Sequence, residues 1–144
     1  MSTTNLVKLQ DILTQHGYRL TTARKTTFQL LDTPEPQAMT DIIARARSTI
    51  DRVTVYRNIE LFEKLGIVHR LMAGWKYKLE LSDDFISHHH HMSCTGCGTL
   101  IDIADDDQIE SFILAVSKKH AFTVQKHSFE IEGLCSECTR KVHL

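Results

Sequence analysis

A chain of 144 residues with 42% hydrophobic and 24% charged residues has an ordinary soluble composition, enough for one domain or two small ones. No apolar run approaches the ~18 residues of a membrane span, and the N-terminus has no signal-peptide pattern. Membrane and secreted classes are therefore set aside, and a cytoplasmic location with no membrane partner is expected. The net charge of −1 hides an asymmetry: residues 1–80 hold 12 Lys and Arg against 8 Asp and Glu (+4), and residues 81–144 hold 5 against 10 (−5). A basic front and an acidic back predict two domains with different partners, divided here as 1–82 and 83–144.

In the front half, Leu6, Leu9, Ile12 and Leu13 recur at helical spacing over 5–16, and Gly17 stops the run. A second helix is predicted from Thr21 or Thr22, with Phe28 and Leu31 inward, before Pro34 and Pro36 break the chain. Thr40 is the expected N-cap of a third helix carrying Ile42, Ile43 and Ala46. Asp51 and Gly66 bound a fourth, whose apolar stripe is Val55, Ile59 and Phe62 and whose Tyr56 and Arg57 fall off that stripe. Strands are predicted over Ile67–Leu71 and Lys76–Leu81, joined by Met72-Ala73-Gly74-Trp75.

Helices followed by such a hairpin read as a winged helix-turn-helix, which lays its recognition helix in the major groove of double-stranded DNA. Tyr56 is then placed to touch thymine methyls, and Arg57 a phosphate or a guanine. Arg19, Arg24, Lys25, Arg52, Lys76 and Lys78 would add phosphate attraction. The competing reading is a helical domain with an ordinary solvated face.

In the back half, Met92–Cys94 and Thr99–Ile103 read as short strands flanking a knuckle with Gly96 and Gly98. Asp105, Asp106 and Asp107 place negative charge at the start of a helix with Ile109, Phe112, Ile113 and Val116 inward. A strand region over Phe122–Leu134 changes phase between Val124 and His127, where a bulge or break is expected. The overall expectation is an α+β protein whose small second domain leans on metal and on a partner subunit.

All four cysteines lie in two Cys-x-x-Cys pairs, Cys94/Cys97 and Cys135/Cys138. Four thiols in a reducing compartment suit one tetrahedral structural Zn²⁺ better than disulfides. A thiol redox sensor is the alternative. The run His88-His89-His90-His91 leads into the first pair. Extended backbone sends alternate side chains to opposite faces, so His89 and His91 would share one face and His88 and His90 the other. That predicts two further metal sites, although a solvated loop remains the plain alternative. Imidazole does not by itself name the metal. A zinc enzyme is disfavoured, because no HExxH or HxE motif is present and a winged helix has no role in one.

Taken together, these segments resemble the ferric uptake regulator (Fur) family of bacterial metal-dependent repressors over nearly the whole chain. The resemblance rests on Gly17-Tyr18-Arg19-Leu20-Thr21 with Arg24, on Thr54-Val55-Tyr56-Arg57, on the histidine run into Cys94-x-x-Cys97, and on His127 before Cys135-x-x-Cys138. It implies a homodimer with an α/β dimerisation domain that binds operator DNA when metal-loaded. It implies DNA contacts by Arg19, Arg24, Thr54, Tyr56 and Arg57. It assigns structural zinc to Cys94, Cys97, Cys135 and Cys138, a regulatory site to Glu80, His89, His91 and Asp102, and an additional site to His88, His90, Glu110 and His127. Iron sensors of the family commonly have a histidine just before the third helix, where this chain has Gln37, and often aspartate where it has His90. Asp102 is similar to the peroxide-sensing branch, which is kept as an alternative. The implied regulatory metal is Fe²⁺ or Zn²⁺, with Mn²⁺ less favoured.

Overall fold

The computed structural model describes residues 3–104 and 106–142. They form two compact units: one comprises residues up to Leu71 together with Tyr77–Ile86, the other Met72–Lys76 and the chain from Ser87. Helices and two small sheets make the fold α+β.

The first unit begins with α1 (Thr3–Gln15) and α2 (Thr22–Leu31), followed by α3 (Met39–Ala46) and α4 (Arg52–Lys64). Thr21 caps α2 by accepting the Arg24 backbone N–H at 3.3 Å. Helix α3 starts earlier than Thr40. Its N-cap is Ala38, which has no side-chain acceptor, because Gln37 and Leu79 pair backbone to backbone at 2.8 Å and fix where the chain turns. Asp51 caps α4 as the sequence suggests, taking the Thr54 N–H at 2.9 Å and its hydroxyl at 2.6 Å. These bonds hold the Asp51 carboxyl below the usual carboxylate range.

The hairpin strands are β1 (Val68–Ala73) and β2 (Lys76–Leu81). The first is longer than expected, leaving a two-residue turn in which Gly74 takes a φ of +65°. Leu9, Leu13, Phe28, Ile42, Val55, Ile59, Phe62, Ile67 and Leu79 are all fully buried and form one core. Phe28 lies edge-on to Phe62 at 6.4 Å and to Phe85 at 5.0 Å. Burial of each such side chain contributes about 1.5–3 kcal/mol.

The second unit is a three-stranded sheet, β3 (His89–Cys94), β4 (Leu100–Ala104) and β5 (Glu130–Gly133), with helices α5 (Asp107–Lys119) and α6 (Ser136–Val142). The order is β4-β3-β5, antiparallel between β3 and β4 and parallel between β3 and β5. Strand β3 takes in most of the histidine run rather than starting at Met92. Asp106 caps α5 through the Gln108 N–H at 2.7 Å, whereas Asp105 lies outside the described residues. The segment before β5 departs from a strand as the phase change predicted, and only four residues of Phe122–Leu134 pair. Helix α6 was not foreseen. Among the described residues, no helix is long and apolar enough to cross a membrane.

Candidate metal centres

Cys94 ends β3 and Cys97 lies in the turn before β4, while Cys135 immediately precedes α6 and Cys138 lies in its first turn. The four sulfurs lie within 4.8 Å of one another, and Cys97 Sγ is 3.8 Å from Cys135 Sγ. Tetrahedral zinc with Zn–S bonds of ~2.3 Å has sulfur–sulfur edges of ~3.8 Å, so the spacing suits that ion. The Cys135 backbone N–H donates to Cys94 Sγ at 3.3 Å. This bond, with the Cys97 N–H, lowers the Cys94 thiol to about 6, while the surrounding sulfurs, Cys135 first, push Cys138 up to about 12. Cys138 is therefore a thiol at neutral pH until a cation displaces its proton, and metal affinity is expected to fall on acidification from pH 8 to 6 in a chelator competition.

Gly96 shows why the knuckle needs a glycine. A Cβ there would stand 2.9 Å from Cys138 Sγ and 3.1 Å from its Cβ. Gly96→Ala is expected to displace that sulfur and to weaken zinc binding by about 10- to 100-fold, the range seen when support around a ligand is disturbed. The same competition assay checks this, and an unchanged affinity would show that the helix carrying Cys138 yields freely.

On one side of β3, His88, His90, Glu110 of α5 and His127 converge, with their ligand atoms within 4.8 Å of each other. His127 Nε2 is 2.9 Å from Glu110 Oε1 and 3.1 Å from His88 Nε2. His88 and His90 Nε2 lie 3.5 and 3.4 Å from the same carboxylate oxygen. A tetrahedron with bonds of ~2.0–2.1 Å has edges of ~3.3–3.4 Å, close to these values. His90 is only 2% exposed, and its buried Nε2 makes no hydrogen bond. Such an orphaned nitrogen is costly unless something accepts its lone pair, and a cation at the centre of this group would do so.

On the other side of the strand, the His89 and His91 rings lie 4.6 Å apart. His91 is paired directly across from Asp102 on β4, and its Nε2 is 3.4 Å from the Asp102 carboxylate. The alternation expected from the sequence thus divides the run as read. Glu80 lies half-buried on β2 of the first unit.

Of the DNA-contact candidates, Arg57 is exposed on α4 and Tyr56 half-exposed, its hydroxyl 3.4 Å from Arg52 Nη2. Arg19 is exposed, and Arg24 donates to its carbonyl at 2.6 Å while lying over the Tyr18 ring at 5.4 Å. The Thr54 hydroxyl is engaged by Asp51. Arg24 and Thr54 thus also build the surface from which their neighbours project.

Sequence and structural comparisons agree with this layout. The profile of the "Ferric uptake regulator family" matches residues 15–132. A ferric uptake regulation protein of Campylobacter upsaliensis is 31% identical, covering 94% of this chain and 90% of its own length. A peroxide-responsive repressor PerR of Staphylococcus saprophyticus is also 31% identical, covering 93% of each. A solved ferric uptake regulator from Pseudomonas aeruginosa with manganese superposes with a TM-score of 0.73 at 25% identity, over 86% of this chain and 95% of that one. The chain belongs to the ferric uptake regulator family of metal-responsive transcriptional regulators.

Proposed function

We propose that this protein is a homodimeric repressor that binds operator DNA when its regulatory site holds Fe²⁺ or Zn²⁺, and so controls metal-homeostasis genes. The observation that carries the reading is the division of one strand into two ligand sets facing opposite ways, His88 and His90 with Glu110 and His127, against His89 and His91 with Asp102. One set is free to hold structure while the other responds. Cys94, Cys97, Cys135 and Cys138 would hold structural zinc, and three imidazoles with one carboxylate make the first histidine set a zinc-like site as well.

In this reading Glu80 joins His89, His91 and Asp102 as the regulatory ligands. Glu80 belongs to β2, the second strand of the hairpin after the recognition helix, so ligation by both parts of the chain would restrain the connection over Leu81–Ser87. Restraint in both subunits sets the separation of the two recognition helices, which must match two operator half-sites. The bound cation supplies the charge that lets carboxylates and imidazoles converge. A solvent-exposed apolar face on α5, including Phe112 and Val116, with Phe122 beside it, is the surface offered to the second subunit.

Operator binding measured at buffered free Fe²⁺, Zn²⁺ and Mn²⁺ tests the function. The expected result is a metal-dependent gain of about 5- to 150-fold in affinity, the usual range of allosteric coupling. Glu80→Ala should abolish that gain, and an undiminished response in this variant would remove Glu80 from the switch.

A further inference from the structure

The apolar core of the first unit contains an exception. Thr27 on α2 is fully buried and Asn58 on α4 is 6% exposed. Asn58 Nδ2 donates to Thr27 Oγ1 at 2.9 Å, and Thr27 Oγ1 donates to the Ala23 carbonyl at 2.8 Å. A hydroxyl has one proton. Since the Ala23 carbonyl takes that proton, the hydroxyl can only accept from Asn58, and the amide must turn its NH₂ toward α2. The relay therefore has one direction and one geometry.

Its position matters more than its energy. Asn58 follows Tyr56 and Arg57 directly on the recognition helix, and Ala23 directly precedes Arg24, which in turn donates to the Arg19 carbonyl at 2.6 Å. The apolar contacts around it (Phe62 edge-on to Phe28, with Val55 and Ile59 in the same core) are non-directional and tolerate small rotations of one helix on another. A hydrogen bond at 2.9 Å between buried groups does not. With side-chain tips ~5–6 Å from a helix axis, a rotation of about 20° moves a tip by about 2 Å, enough to break contact with a base edge.

We infer that the Thr27–Asn58 hydrogen bond is a positioning device for DNA reading: it fixes the rotation of α4 on α2, and so fixes where Tyr56 and Arg57 stand relative to Arg19 and Arg24. It serves sequence discrimination rather than stability. This inference rests on the DNA-binding reading of α4. Replacing both partners by apolar groups of similar shape is close to neutral in stability, whereas removing the Thr27 hydroxyl alone would strand the buried Asn58 amide.

The test compares the full-length, Zn²⁺-supplied wild type with Thr27→Val/Asn58→Leu, Asn58→Leu alone and Thr27→Ser. Each is assayed on a duplex enriched by the wild type from a random-sequence pool and on a scrambled duplex, over a range of salt. The double variant is expected to keep its thermal midpoint within about 4 °C and its salt slope, which reports phosphate contacts. Its ratio of specific to scrambled affinity should drop about tenfold, the scale of one displaced base contact. Thr27→Ser keeps the hydroxyl and should keep the ratio. If the double variant does not fold, Asn58→Leu carries the test, because Thr27 still donates to Ala23. A wild-type ratio in the folded variant overturns the inference while leaving DNA binding intact. Failure of the wild type to enrich any sequence, with Zn²⁺ alone or with Fe²⁺ also supplied, overturns both.

Discussion

On the structural-zinc reading proposed above, removing zinc from the four-cysteine cluster is expected to unfold the second unit from Ser87 onward while the first unit stays folded. The reason is the distribution of the core. Among the described residues beyond Ile86, the only buried hydrophobic side chains are Cys94 and Cys138, whereas the first unit has a continuous core from Leu9 to Phe85. A sheet of three short strands without an apolar interior has little to offset its conformational entropy. Structural zinc in small domains contributes about 10–16 kcal/mol, comparable to or larger than whole-domain stabilities of about 5–15 kcal/mol, so a unit with so little core of its own is expected not to survive its loss. Chelation should abolish amide-exchange protection in β3, β4 and α5 and leave α2 and α4 protected. Cys138→Ser should mimic this in part, since it removes the buried ligand that pins α6. Persistent protection of β3 after complete zinc removal would show that the second unit is held by other contacts.

The second large effect concerns the proposed dimer. Phe112→Asp is expected to convert the protein to a monomer at micromolar concentration. Phe112 is 70% exposed and Phe122 68% exposed in the single chain, and both line an apolar depression with Ile113, Val116 and Val124. Large aromatic side chains left in water on one helix face mark an interaction surface. Central aromatic anchors typically cost at least ~2 kcal/mol on truncation, roughly 30-fold in affinity, and a buried carboxylate adds its own desolvation penalty. Sedimentation velocity reads the outcome directly. A dimer that survives the charge would place the interface elsewhere, for example on the sheet edge at Ile131, which is 42% exposed.

These two effects also mark where the sequence was readable. The recognition helix was legible from end to end because its boundaries are local chemistry: Asp51 caps it and Gly66, with a φ of +69°, follows its end. The division of the histidine run was legible for a similar reason, since strand alternation depends only on the backbone. The apolar face of α5 was found but misassigned as inward. Periodicity shows that Ile109, Phe112, Ile113 and Val116 share a face, yet it cannot show whether that face meets the same chain or another. Ile109 and Ile113 are half-buried, whereas Phe112 and Val116 remain exposed. Helix α6 escaped because seven residues carry little periodic signal, although Glu137 early and Arg140 and Lys141 late match the helix dipole. The start of α3 was misplaced because a backbone bridge between Gln37 and Leu79, distant in sequence, decides where that helix begins. Asn58 was missed because a polar residue beside an apolar stripe gives no hint of a partner 31 positions away.

If the two faces of β3 have different jobs, substitutions on each face have different consequences. Operator affinity with and without the regulatory metal, together with the dimer dissociation constant, should be measured for His91→Ala and His127→Ala. His91→Ala is expected to remain dimeric and lose the metal-dependent gain in affinity. His127→Ala is expected to weaken the dimer and leave the free-metal concentration at the midpoint of DNA binding unchanged. The reverse pattern, a shifted metal threshold in His127→Ala with an intact response in His91→Ala, would contradict the assignment of the two faces.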